Sequence, residues 1–216
     1  MYRASVAAIP WEPEAVNIAH CFRLCSVLQF CCSIGSSESV VSLCKALKSV
    51  GHRCSVAVVN LRSNSIDCTG AAAIADLLSS KDGCTITALH LGINAIKKKG
   101  LVAIAGALRT NTKLSTLNLC NNQLCPFQGD TEEDQEGITA LSEALKENTT
   151  LTSLTLSASC IGDAGGKLLL DMLQTNTTLL RLDLRWNQMS SLHKVLMKAN
   201  PTVTRRASSG FELLLW

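Results

Sequence analysis

Five carboxylates, Asp130, Glu132, Glu133, Asp134 and Glu136, fall within seven residues of the stretch CPFQGDTEEDQEG (125–137), in a chain whose formal charge is +3. Clustered carboxylates are ligands for hard cations. A calcium loop wants them at alternate positions, then a glycine at the sixth and a glutamate at the twelfth. Asp130, Glu132 and Asp134 alternate, but Gln135 and Leu141 occupy the two later positions, so calcium is not expected. The eleven cysteines offer softer chemistry. Cys21 with Cys25, Cys31 with Cys32, His52 with Cys54, and Cys120 with Cys125 all lack the paired C-x2-C spacing of structural zinc. His20, His52, His90 and His193 are scattered, and no nucleophile elbow, phosphate loop, HExxH or dinucleotide fingerprint accompanies them. The expectation is therefore a non-enzyme with no catalytic residue, cofactor or metal. Arg205-Arg206-Ala207-Ser208 has the form of a basophilic kinase target, which makes Ser208 a candidate phosphosite.

The composition narrows the class further. Hydrophobic residues make up 47% of 216 and charged residues 17%, so the chain can bury a core and is not disordered. Aromatics are only 4%, which leaves Leu, Ile, Val, Ala and Cys to build it, a diet suited to many thin layers. The small net charge and the missing aromatic platforms argue against nucleic acid. No secretory signal is recognisable at the N-terminus, and the apolar run from Ile18 to Ile34 is broken by His20, Arg23 and Gln29. Reduced thiols, no membrane, and a cytoplasmic location (nuclear or ciliary as variants) are expected.

The elements that would position these residues are repeated. VAVVNLRSNSI (56–66), ITALHLGINAI (86–96), LSTLNLCNNQL (114–124), LTSLTLSASCI (151–161) and LLRLDLRWNQM (179–189) share the pattern L-x-x-L-x-L-x-x-N-x-L. Asn64, Asn94, Asn122 and Asn187 fill the ninth position, and Ser159 replaces Asn in the fourth copy. Segments of helical spacing follow at 70–78, 100–108, 137–145 and 165–173. A degenerate earlier copy lies at 25–30, with its helix at 40–47.

These copies resemble the leucine-rich repeat, specifically the long ribonuclease-inhibitor-like type seen in the repeat regions of NOD-like receptors. The resemblance implies an α/β solenoid, a horseshoe arc with a concave parallel β-sheet and convex α-helices. No strand–helix unit covers its own apolar face, so neighbours must stack. It also implies that the ninth-position asparagines form a structural ladder along the backbone. The solenoid is placed at 25–200 with about five to six repeats, flanked by a cap or flank at 1–24 and a tail or cap at 201–216. The starts at 114 and 151 are 37 residues apart, nine more than the usual 28, which makes the acidic stretch (125–136) an insertion in one strand-to-helix link. Stacking sets that link beside Lys97-Lys98-Lys99, three lysines whose charge opposes a helix N-terminus, so an internal charge match is expected.

Alternation along a strand sends positions three, five and seven to the concave surface. Those trios are Val58, Asn60, Arg62; Ala88, His90, Gly92; Thr116, Asn118, Cys120; Ser153, Thr155, Ser157; and Arg181, Asp183, Arg185. Arg62, His90, Asn118, Thr155, Arg181, Asp183 and Arg185 are the candidate partner-binding residues, joined by Trp186 at position eight. Trp and Arg are frequent hot spots, though Trp186 is equally suited to packing on a C-terminal cap. The function expected is a monomeric scaffold or regulator that binds a protein partner of unknown identity. The resemblance leaves open a regulator like Ran GTPase-activating protein, a sensing or autoinhibitory part of a NOD-like receptor, and tropomodulin-like actin binding. Asn148-Thr149-Thr150 and Asn176-Thr177-Thr178 are sequons, but Asn111-Thr112-Lys113 repeats the same turn, which marks all three as repeat grammar.

Overall fold

A computed structural model describes residues 25–80, 85–126 and 135–216. Seven three-residue strands alternate with helices: β1 (Val27–Gln29), α1 (Ser37–Val50), β2 (Val58–Asn60), α2 (Cys68–Leu78), β3 (Ala88–His90), α3 (Lys97–Leu108), β4 (Thr116–Asn118), α4 (Glu136–Glu147), β5 (Ser153–Thr155), α5 (Asp163–Thr175), β6 (Arg181–Asp183), α6 (Ser191–Ala199), α7 (Pro201–Ala207) and β7 (Glu212–Leu214). The strands form one parallel sheet in sequence order, β1 to β7. Register is unbroken. Leu28, Val59, Leu89, Leu117, Leu154, Leu182 and Leu213 stand side by side across the sheet.

The apolar positions of the repeat explain the layering. The fourth and sixth residues of the five copies from 56 onward, such as Leu117 with Leu119 and Leu154 with Leu156, are fully buried. They meet the inward faces of the helices, for example Leu101, Ile104 and Leu108 of α3 and Leu141, Ala144 and Leu145 of α4. Each buried leucine contributes about 1.5–3 kcal/mol relative to exposure, so six repeated layers carry the fold without an aromatic centre. The helices stack closely because a glycine sits at the N-terminal approach. A Cβ on Gly100 would lie 2.6 Å from Ile96 Cγ2 and 2.9 Å from the Cβ of Ala71 on the preceding helix. One on Gly137 would meet the Lys98 backbone and Leu101 of α3 at 3.1–3.2 Å.

Between strand and helix the chain makes the same turn in every repeat. The eighth-position residues Cys32, Ser63, Ile93, Asn121, Ala158 and Trp186 all adopt left-handed backbone, with φ between 52° and 60°. This conformation disfavours side-chain-bearing residues, most of all a β-branched one such as Ile93. It is held from the next repeat: the N–H groups of Ser63, Ile93, Asn121 and Ala158 donate to the carbonyls of Gly92, Cys120, Ser157 and Arg185 at 2.8–2.9 Å.

The closing segment, expected as a tail or cap, adds a strand. Asn200 caps α7 through the Thr202 N–H, Pro201 occupies its first turn, and the chain then returns so that β7 pairs with β6.

Candidate functional site

Two asparagine ladders hold the frame that displays the concave face. In the first, Asn94 Oδ1 accepts from the Asn64 and Ile66 N–H groups, both at 3.1 Å, while its amide donates to Leu61 and Leu91 carbonyls at 3.0 and 2.9 Å. Asn187 makes the same set with Ser159, Ile161, Leu156 and Leu184, and Asn64 makes a variant of it, accepting from the adjacent Ile34 and Gly35 N–H groups and donating to Phe30 and Leu61. Asn122 accepts from the Ile96 N–H at 3.3 Å and donates to Leu91 and Leu119. Ser159 donates to Leu119 and Ser157 carbonyls only, at 3.3 and 3.2 Å, so its copy is the weak rung.

The second ladder runs through the helix ends. Asn111, Asn148 and Asn176 donate to the carbonyls of Leu78, Leu108 and Leu145, each one repeat back, and accept from the N–H groups that open their own strands. At the last position Arg206 takes over, donating to the carbonyls of Leu173 and Leu179 with its guanidinium 4.3 Å from the Phe211 ring centroid. Both sequon asparagines are thus buried in the frame and inaccessible to a glycan in the fold.

On the concave sheet the fifth-position file reads Gln29, Asn60, His90, Asn118, Thr155, Asp183 and Leu214. Asn60, Asn118 and Asp183 each accept from the N–H two residues on, in Arg62, Cys120 and Arg185, which fixes the strand ends. His90 is half-buried between Asn60 and Asn118, and burial pushes its imidazole pKa down. In the seventh-position file a Cβ on Gly92 would lie 2.5 Å from Cys120 Sγ. With only hydrogen there, the Arg62 guanidinium crosses to Cys120 Sγ at 3.7 Å.

The C-terminal end departs from the expected open basic site. Asp183 is only 4% exposed, because Arg185 covers it through a two-pronged bond, Nε at 3.0 Å and Nη2 at 2.7 Å. Burial alone would raise the Asp183 pKa, but the bonds from Arg185 outweigh it and hold the carboxyl below the usual range. Arg181 pairs with Glu212 of β7 at 2.6 Å. Asp183 is therefore a support for Arg185 rather than a contact offered to a partner, and both arginines are committed internally. Sequence reading missed Glu212, although its place in an apolar closing run was a signal. Trp186 does not pack on the cap: it is 79% exposed. Trp216, the last residue, lies 5.0 and 5.7 Å from the ammonium groups of Lys194 and Lys198.

The other sequence-derived candidates scatter. Cys44, Cys54 and Cys125 are buried, whereas Cys31, Cys32 and Cys68 are at the surface. Ser208 ends α7, its hydroxyl donating to the Arg205 carbonyl at 2.6 Å, so the kinase motif is folded into a helix whose second arginine is engaged. Lys97–Lys99 form the first turn of α3, as expected. Their expected acidic counterpart lies, but for Glu136, outside the described residues. Among the described residues no helix is long and apolar enough to cross a membrane.

The fold and its ladder define a class: this is a leucine-rich repeat protein. The family model "Leucine Rich repeat" matches residues 84–105, 147–170 and 175–191. No curated protein matches the chain. Among solved structures, it is similar to leiomodin-1 actin-binding site 2, at 22% identity and a TM-score of 0.55, over 89% of this chain and 87% of that one. A protein of Bacteroides fragilis aligns at 11% identity over 83% of this chain and 60% of that one, with a TM-score of 0.34 that supports no argument.

Proposed function

We propose that this chain is a non-catalytic protein-interaction module, an intracellular scaffold or regulator that binds a protein partner on its concave sheet and works as a monomer. The observation that carries the reading is the continuous face of β1–β7, where small side chains at Ala88, Thr116 and Ser153 lie between the Arg62 and Arg185 ends. Such a face admits a partner's protruding surface without displacing backbone hydrogen bonds. The α-helix in each repeat supports the ribonuclease-inhibitor-like subtype. Trp186 supplies an exposed aromatic anchor beside it, and Trp186→Ala is expected to weaken capture by about tenfold or more without lowering the melting temperature.

A photo-crosslinking residue at Thr155, with Thr139 on the outer helix surface as the control position, tests the reading in the native cell. Recovery of one protein species from position 155 and not from 139 supports it. Equal recovery from both positions, or none from 155, overturns it. Actin is the first partner to try, because the similar leiomodin-1 domain is an actin-binding site. Co-sedimentation with filaments, and a shift of labelled monomer, decide that point separately.

A further inference from the structure

We propose that α6 carries a second docking surface, built to receive an acidic amphipathic helix of a partner protein. The outer surface of the solenoid is polar in the two preceding repeats: Thr139 and Glu143 on α4, Lys167 and Asp171 on α5, all exposed. One repeat of 28 residues beyond Lys167 and Asp171 stand Val195 and Ala199, and the polarity is reversed. Leu192, Val195, Leu196 and Ala199 lie at i, i+3, i+4 and i+7, the spacing of one helix face. All four are exposed, Leu192 by 70%, while Met197 is the single buried residue of α6. The same step sets Leu192 and Leu196 on Ala164 and Leu168, apolar and only partly exposed in α5, so the stripe spans the outer face and the adjoining side of α6, and on α6 both are exposed.

The charge beside the stripe selects the occupant. Lys194 and Lys198 flank it on the side of Trp216, and among the described residues no carboxylate lies within ion-pair distance of either. Over Ser191–Ala199 the helix carries Lys194 and Lys198 and no Asp or Glu, so the charge it presents is positive. The matching ligand is a helix of about two turns, with an apolar stripe some 10 Å long bordered by Asp or Glu. A second copy docked through the same face would set lysine against lysine. The chain's own acidic stretch has no apolar residue between Asp130 and Glu136 and cannot supply the stripe. A lipid surface is the weaker match: three large side chains and two lysines fall short even of one acyl chain, which itself anchors only marginally. This surface is on a helix and stands independently of the concave-sheet reading.

The test uses the full chain and two fluorescein-labelled 14-residue helical peptides, one with a leucine stripe flanked by glutamates, the other with lysines in their place. Fluorescence anisotropy at low salt is expected to show the glutamate peptide binding at least tenfold tighter. Leu192→Glu with Leu196→Glu abolishes that binding with the melting temperature retained, which exposed positions permit. Lys194→Glu with Lys198→Glu reverses the preference between the peptides. Equal binding of both peptides, or of neither, overturns the proposal. So does concentration-dependent dimerisation lost in the leucine variant, or capture by anionic phosphatidylserine vesicles with the peptide ignored.

Discussion

Replacing Asn94 by Ser converts a strong rung of the first ladder into the weak rung that the protein already has at Ser159. Asn94 makes four good bonds between repeats, accepting from the Asn64 and Ile66 N–H groups and donating to the Leu61 and Leu91 carbonyls. A serine, as Ser159 demonstrates, retains donation to carbonyls and accepts from neither N–H. Two backbone donors lying between packed repeats thus lose their acceptor. An unsatisfied buried donor costs about 1–3 kcal/mol, and the partial exposure of Asn64 favours the lower end for one of them, giving a loss of about 2–4 kcal/mol. For a chain of this size each kcal/mol moves the melting temperature by about 2–4 °C, so a drop of about 5–15 °C is expected. Urea denaturation followed by far-UV circular dichroism should show a lower midpoint at an unchanged slope. A loss under about 0.5 kcal/mol would refute the reasoning, because it would mean water replaces the ladder at no cost.

The reciprocal change, Ser159→Asn, supplies the missing acceptor to the repeat before it and is expected to raise stability by about 1–2 kcal/mol in the same assay. Arg206→Ala leaves the Leu173 and Leu179 carbonyls without their donor; a loss of about 1.5–3 kcal/mol is expected, with hydrogen-exchange protection falling first in α7 and β7, and Arg206→Lys failing to restore a fork that bridges two carbonyls. Asp67, Asp163 and Asp183 all have pKa values held below the ordinary carboxylate value. Asp67 is held down mainly by the Ser37 hydroxyl, whereas in Asp163 and Asp183 burial pulls the other way and is outweighed by bonds from Ser190 and Arg185. Folded values below the unfolded one mean that the unfolded chain binds protons first as pH falls. Their stabilisation is therefore complete above the unfolded pKa of about 4 and is lost as pH drops through the folded values. Melting temperatures measured from pH 6 down to pH 2 should stay level at first and fall only below about pH 4, and Asp183→Asn should flatten part of that fall.

The repeat was legible because its signals are local and redundant. Alternation placed Leu117 and Leu154 inward and Thr116 and Thr155 outward, and the spacing of Asn64, Asn94, Asn122 and Asn187 marked the ladder. What escaped were features decided by contacts across the chain. FELLLW carries the L-x-L phase in Leu213 and Leu215, but three consecutive leucines blur it and neither a first-position leucine nor a ladder asparagine accompanies it; its pairing with β6 depends on the return of the chain after α7. Asp183 was assigned to the open face because the period of two puts it there. The same period also puts Arg185 two residues away on that face, where its guanidinium closes over the carboxylate. The outward stripe on α6 reads in sequence as a core stripe, since Leu192, Val195 and Leu196 have core spacing. Only the 28-residue comparison of Val195 and Ala199 with Lys167 and Asp171 reveals that this side of the stripe lies on the outer face.

The left-handed turn at position eight has one further consequence. Cys32, Ser63, Ile93, Asn121, Ala158 and Trp186 share no size, polarity or branching, yet each occupies the same backbone state. In the first five the N–H is held by a carbonyl of the neighbouring repeat, so the conformation is imposed by the stacking and not by the residue that adopts it. The position therefore works as a mounting rail: it sets where a side chain is carried along the rim of the arc while leaving its chemistry open. A repeat protein with such a rail can exchange its recognition groups one at a time, without touching the leucines or the asparagines that keep it folded.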